Sequence, residues 1–281
     1  MEVSSLSGNL HLSPSQLYVG DLTHMRQFYS TVVGLETLET SAERVLLGDG
    51  DTAALELIAK PSLKHANPRD AGLFHNALLY SSKGALAKSV ASILEKSPSS
   101  FSGTADHLVS EAFYFNDPEG NGLEMYVDRP RDEWTWVNGH VQMDTIYIDP
   151  LTYLYKNVGI NEHNSTALGH IHLRVGDITT ARQFYVDTLG FTITAAMPGA
   201  LFVSVGGYHH HIGLNTWMSD GAPVRPKSLG LHEVTIQLSS HADVARLASR
   251  LEAKGARFTY VGDMVHVADP WGILLAFTAT T

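Results

Sequence analysis

Short stretches in which apolar and polar residues alternate give way along the chain to longer stretches with helical spacing, and this exchange recurs four times. Leu17 and Val19, and later Ile171, Leu173 and Val175, alternate as strand residues do. Asp21 and Asp177 follow them as candidate helix N-caps, and each opens an amphipathic segment that closes at Gly34 or Gly190. Short β-rich runs come next, at 45–47, 53–58, 201–205 and 210–214. The middle of each half restarts the order, with a strand over 73–80 before a helix over 84–96, and a strand over 231–238 before a helix over 241–254. The pattern predicts an α+β protein of four βαβββ modules, at 9–72, 73–130, 166–218 and 229–281, forming two curved-sheet domains, each a half-barrel pair. Residues 131–165, with Trp134, Trp136 and Pro150, have no counterpart and are expected to form a connector with a short helix.

The recurrence is literal in two places. LRVGDITTARQFYVDTLGF at 173–191 repeats LYVGDLTHMRQFYSTVVGL at 17–35 with an offset of 156, and ADPWGILLAFT at 268–278 repeats NDPEGNGLEMY at 116–126 with an offset of 152. An internally duplicated chain has to be read repeat by repeat, because equivalent positions then become comparable.

Composition narrows the function classes. The 281 residues are 44% hydrophobic, enough for two compact domains, and no apolar run approaches the length that spans a bilayer. There is no cysteine, so disulfides and thiolate metal sites are excluded. The opening MEVSSLSGNL lacks the basic start and apolar core of a secretory signal, which makes cytoplasm the expected location. The net charge of −10, with no Lys/Arg cluster, argues against a nucleic-acid partner.

Fifteen histidines without cysteine direct attention to imidazole and carboxylate chemistry. His75, His170 and His232 each stand near the start of a module's first strand, where module one has Pro14, which cannot ligate. In module two, His107 is followed by Phe113-Tyr114, Asp117-Pro118, Glu119-Gly120 and Glu124. Leu123, Met125 and Val127 share one face of that strand, so Glu124 and Tyr126 point to the other. A carboxylate on the cavity face of a curled sheet needs a partner, and a metal supplies one.

The His107-to-Glu124 segment resembles the signature of type I extradiol ring-cleaving dioxygenases, in the vicinal-oxygen-chelate superfamily that also holds glyoxalases and bleomycin-resistance proteins. The resemblance covers nearly the whole chain and is nearest to four-module catechol 2,3-dioxygenases. It implies that Glu124 is a metal ligand and that His107 and Tyr114 face the substrate. At the position two before His107, where the family has Gly or a few other residues, stands Ala105. GGYHHHIGLNTW at 206–217 looks like the strand that carries the family's acid–base histidine, which places that role on His210. On such a strand His209 and His211 would point to the opposite face.

Three pairings of the modules give three sites. Modules one and two would offer Pro14, Glu56, His75 and Glu124, three of a glyoxalase-like set of four. Modules three and four would offer His170 and His232, with Ala276 where the carboxylate should be. Modules two and three offer His75, His170 and Glu124 with His210 nearby, the full ligand set, and this is the expected site. Module four is then degenerate, His232 is structural or lines a pocket, and modules one and four complete a second cavity. The stretch 139–146 is a candidate cover for the site.

Two neutral imidazoles and a carboxylate on one face are the set used by non-haem Fe(II) oxygenases. The resemblance implies Fe(II), with Mn(II) as an alternative, and a small aromatic diol and O2 as reactants, in the breakdown of aromatic compounds. His210 would move the proton, and Tyr114 and His107 would hydrogen-bond the reacting oxygens. A glyoxalase-like isomerase or lyase would instead use Glu56 as a ligand. A metal-free binder would need only a cavity of aromatics such as Phe202, Tyr208 and Trp217. The sequence leaves the oligomeric state open, a homo-oligomer included.

Overall fold

The computed structural model describes residue 6 and residues 8–159 and 165–280. In the first module, strand β1 (Leu10–Val19) leads into helix α1 (Leu22–Gln27), which widens into a π-helical turn over Phe28–Val33, and then into β2 (Glu36–Thr40), β3 (Arg44–Asp49) and β4 (Thr52–Ala59). Asp21 caps α1 by accepting from the His24 amide, and Gly34 ends the turn at φ 98°, a conformation that a side chain would strain.

The second module comprises β5 (Gly72–Tyr80), α2 (Lys83–Lys96), β6 (Phe101–Asp106), β7 (Ser110–Asn116) and β8 (Gly122–Asp128). The connector holds a small ribbon, β9 (Trp136–Val137) with β10 (His140–Val141), and the short helix α3 (Pro150–Asn157). The third module has β11 (Thr166–Arg174), α4 (Ile178–Arg182) with a π-helical turn over Gln183–Thr188, β12 (Thr192–Met197), β13 (Ala200–Ser204) and β14 (Ile212–Asn215). The fourth has β15 (Gly230–Leu238), α5 (His241–Ala253), β16 (Phe258–Val261), β17 (Met264–Ala268) and β18 (Leu274–Ala279).

The strands form two eight-stranded sheets, ordered β12-β13-β14-β11-β5-β8-β7-β6 and β16-β17-β18-β15-β1-β4-β3-β2, and one of them curls into a half-barrel. Modules two and three therefore share one sheet, joined by the antiparallel pair β11/β5, and modules one and four share the other, joined by β1/β15. This excludes the pairing of modules one and two, which would have made Glu56 a partner of Glu124.

A single hydrophobic cluster, including Leu17, Tyr29, Leu78, Phe113, Tyr185, Leu214, Ile236 and Phe277, runs through all four modules. The two literal repeats meet inside it. Tyr29, from the first copy of the FY segment, donates to Asp117 of the NDPEG turn at 2.9 Å, and Tyr185, from the second copy, donates to Asp269 of the DPWG turn at 3.1 Å. Glu119 adds a further clamp between modules one and two, because its carboxylate accepts from the Gly20 and Asp21 amides. Among the described residues no helix is long and apolar enough to cross a membrane.

Candidate metal centre and its cavity

The inner face of the sheet shared by modules two and three brings three histidine and glutamate side chains to one point. On β8, Glu124 lies opposite Ala77 of β5, and Ala77 lies opposite His170 of β11, so three adjacent strands align these positions in one row. His75, two residues before Ala77, shares its face. The His75 Nε2 lies 2.8 Å and the His170 Nε2 3.1 Å from the same oxygen of Glu124, and the ligand atoms of the three residues all lie within 4.8 Å of one another.

All three side chains are buried. Burial pulls the His170 imidazole down to about 4, so at neutral pH it presents a lone pair rather than a charge. Burial opposes ionisation of Glu124, but the His170 and His75 imidazoles outweigh it and hold its carboxyl well below the usual range. His75 Nε2, though 2.8 Å from the carboxylate, is not aligned to hydrogen-bond with it and has no other partner, and His170 Nδ1 is also unpaired. Buried polar atoms are rarely left in this state. A divalent cation between the two Nε2 atoms and the carboxylate would satisfy the convergent set, so the residues present fit a metal held by two histidines and one carboxylate.

Around this point lies a cavity of about 590 Å³, lined by His75, Glu124, Tyr114, His107, His172 and His210 together with aromatic and aliphatic side chains. The Tyr114 hydroxyl lies 2.6 Å from His107 Nε2, and His107 Nδ1 lies 2.7 Å from the Asp144 carbonyl. A carbonyl only accepts, so Nδ1 carries the proton, Nε2 accepts from Tyr114, and the tyrosine oxygen keeps its lone pairs for the cavity. Burial and the neighbouring Glu124 push the Tyr114 hydroxyl well above its ordinary value, which keeps it a donor. Phe74, Phe202 and Trp217 supply aromatic wall, whereas Tyr208 stands apart and hydrogen-bonds Tyr126. Met143, Asp144 and Thr145 come from the connector, so part of the stretch 139–146 does line the site.

His210 lines the cavity with its ring centroid 4.2 Å from that of His170, and burial together with the neighbouring histidines holds it well below its ordinary value. Its setting differs from the sequence expectation. β14 begins only at Ile212, so residues 209–211 form irregular chain and strand alternation does not apply. His209 is bonded to His210 through their Nδ1 atoms at 2.8 Å, whereas His211 turns to Ser204.

The position of His232 also needs correction. β5 and β15 both open on glycine, at Gly72 and Gly230, and across the sheets His75 pairs with His172 as Glu233 pairs with Gln16. Glu233, not His232, is therefore the counterpart of His75, and His232 stacks on Tyr18 with ring centroids 4.2 Å apart. Glu56 is held by Arg44 in that second sheet, and Glu233 by His266 at 3.0 Å.

His172 was missed by sequence reasoning. It lines the cavity, packs edge-on to His75 with centroids 5.0 Å apart, and is hydrogen-bonded by Asn215 at 3.0 Å. The signal was present in GHIHLRV, because residues 170 and 172 fall on one face of a strand.

A sequence profile of the Glyoxalase/Bleomycin resistance protein/Dioxygenase superfamily matches residues 10–125 and 167–277. Over 278 residues the chain is 36% identical to the catechol-2,3-dioxygenase of Bacillus subtilis (strain 168), covering 95% of this chain and 96% of that one. Among solved structures, a candidate dioxygenase from Bacillus subtilis subsp. subtilis str. 168 matches with a TM-score of 0.67 at 13% identity, over 98% of this chain and 86% of that one. Glyoxalase I from Zea mays matches with a TM-score of 0.57 at 16% identity, over 96% and 92% of the two chains. At those identities the two structures speak to the fold alone.

Proposed function

Since the chain belongs to the Glyoxalase/Bleomycin resistance protein/Dioxygenase superfamily, we propose that it is an extradiol dioxygenase that opens the ring of a catechol-type substrate with O2. The observation that carries the reading is the convergence of His75, His170 and Glu124 at the head of a cavity that also holds His210, Tyr114 and His107. A relative of nearly equal length, 36% identical, carries the name catechol-2,3-dioxygenase, which favours this chemistry over isomerisation on the same fold. The isomerase reading asked for Glu56 as a ligand, and that residue is engaged by Arg44 on the other sheet.

His75, His170 and Glu124 would hold Fe(II), or Mn(II) in its place. The metal would supply adjacent open positions for a vicinal diol and O2, and an electron path between them. The protein's own side chains do the rest. His210, neutral in its buried setting, accepts a proton from a diol hydroxyl and returns it during ring opening. The Tyr114 hydroxyl, whose proton goes to His107 Nε2, turns its lone pairs to the cavity, where they accept from a substrate hydroxyl and orient it. Phe74, Phe202 and Trp217 supply aromatic wall against which the ring packs. Both atoms of O2 enter the product, a ring-opened semialdehyde or acid.

Protein loaded anaerobically with Fe(II) and mixed with catechol and O2 tests the reading. The expected result is one O2 consumed per catechol, with the yellow ring-opened product rising in step. Bound metal without O2 uptake on any catechol would contradict it.

A further inference from the structure

His209 joins the cavity to a residue outside the chelating set. Its ring is fully buried, at 0% exposure. Its Nε2 lies 2.9 Å from Asp128 Oδ1, and its Nδ1 lies 2.8 Å from His210 Nδ1. Asp128 ends β8, four residues beyond Glu124, and lines a second cavity of about 280 Å³ shared with Tyr80, Ser81 and Ala167. The Tyr208 hydroxyl also hydrogen-bonds Asp128, and Tyr126 lies 2.8 Å from that hydroxyl, so the carboxylate is oriented from two sides. Asp128, His209 and His210 thus form a chain from one cavity to the other.

The chemistry of this chain fixes where the protons sit. A carboxylate only accepts, so His209 carries its proton on Nε2. The His209 Nδ1 is then an acceptor, and its 2.8 Å bond to His210 requires the proton to be on His210 Nδ1. That leaves a lone pair on His210 Nε2, the ring nitrogen still free to meet a substrate in the larger cavity.

We propose that Asp128 is a positioning residue which, acting through His209, selects the tautomer that makes His210 Nε2 a base. The catalytic consequence rests on the dioxygenase reading above, whereas the tautomer itself does not. Replacing Asp128 by asparagine would invert the chain. An asparagine amide can donate to His209 Nε2, which moves the His209 proton to Nδ1, makes His210 Nδ1 an acceptor, and leaves His210 Nε2 protonated. A base becomes a donor although no atom of the cavity has been changed. The logic is that of the aspartate behind the histidine of a serine-protease triad, carried one imidazole further.

Long-range 1H–15N spectra of the apoprotein, labelled on histidine, read the tautomers without metal or turnover. The expected parent spectrum shows His209 as the Nε2–H form and His210 as the Nδ1–H form, and Asp128→Asn exchanges them. In the Fe(II)-loaded enzyme, Asp128→Asn is expected to lower kcat for catechol about 100-fold or more with KM within about threefold, and Asp128→Glu to restore most of the rate. A parent His210 in the Nε2–H form would overturn the proposal even if the variants failed to fold. So would a folded Asp128→Asn with parental tautomers and kcat. The expected tautomers in a parent that turns over no catechol would uphold the role of Asp128 in orienting His210 and sink the dioxygenase reading instead.

Discussion

Gly213 on β14 lies directly across from His172 on β11, and a Cβ there would come within 2.9 Å of the imidazole ring. The missing side chain is therefore the space in which His172 lies against His75. Gly213→Ala is expected to push His172 toward His75 and weaken metal binding about tenfold, as disturbance next to a ligand commonly does. Titration of the apoprotein with Mn(II) would read this, and an unchanged affinity would show that His172 has room to move. Tyr114→Phe removes the bond to His107 Nε2 and leaves all three ligands in place, and a fall in kcat of about 10–100-fold with intact metal content is expected. At this scale the sequence was most legible where residue type and motif coincided, as at His107, Tyr114 and Glu124, which all line the cavity. It was least legible at His209, because the reading assumed a strand through 210–214. The chain stays irregular until Ile212, and there neighbouring side chains can meet.

Among the elements, the repeated FY and DP segments brace one another, and these braces have a pH signature. Burial raises Asp117 and Asp269 from 3.8 to about 6, against the hydrogen bonds that they accept. An acid raised on folding binds its proton more tightly in the native state. Its contribution is therefore fully present below about pH 4, declines as pH rises to 6, and stays lost above that. The change is on the order of 2–3 kcal/mol for each residue. Asp117→Asn should flatten the pH dependence of the melting temperature between pH 4 and 7, and a parental slope in this variant would place the effect elsewhere. The helices and central strands were legible because each has a buried face, as in the shared burial pattern of β5 and β15. The outer strands β2 and β16 are largely exposed and lack such a pattern. The slip from Glu233 to His232 has a related cause, since a shift of one residue along a strand exchanges its faces.

The whole molecule is a ring of four modules, each attached to two others by different means. Sheet pairing joins two to three and one to four, while the Tyr29–Asp117 and Tyr185–Asp269 braces join one to two and three to four. Among the described residues, the convergent His-His-Glu set stands on one sheet only. On the other, Pro14 and Ala276 stand where His170 and Glu124 do on the first, and Arg44–Glu56 and His266–Glu233 are paired internally. The cavity also has a charge. Among the described residues, its lining holds Glu124 and Asp144 but no lysine or arginine, in a chain of net charge −10. With the metal's positions taken by the diol and O2, a carboxylate elsewhere on the substrate ring would be buried there without a cationic side chain to pair with, at a large desolvation cost. Catechol and alkylcatechols are thus expected to exceed dihydroxybenzoates at least about tenfold in kcat/KM, and a preference for the acids would contradict this view of the cavity.

Metal content measured on three proteins tests the assignment of His75, Glu124 and His170 as the metal centre most directly. Parent, Glu124→Ala and Glu56→Ala would each be exposed to Fe(II) without O2, freed of excess, and analysed per chain. About one metal ion per chain is expected in the parent and in Glu56→Ala, with loss in Glu124→Ala. Metal retained by folded Glu124→Ala, or lost from Glu56→Ala, would move the centre to the other sheet and contradict the account.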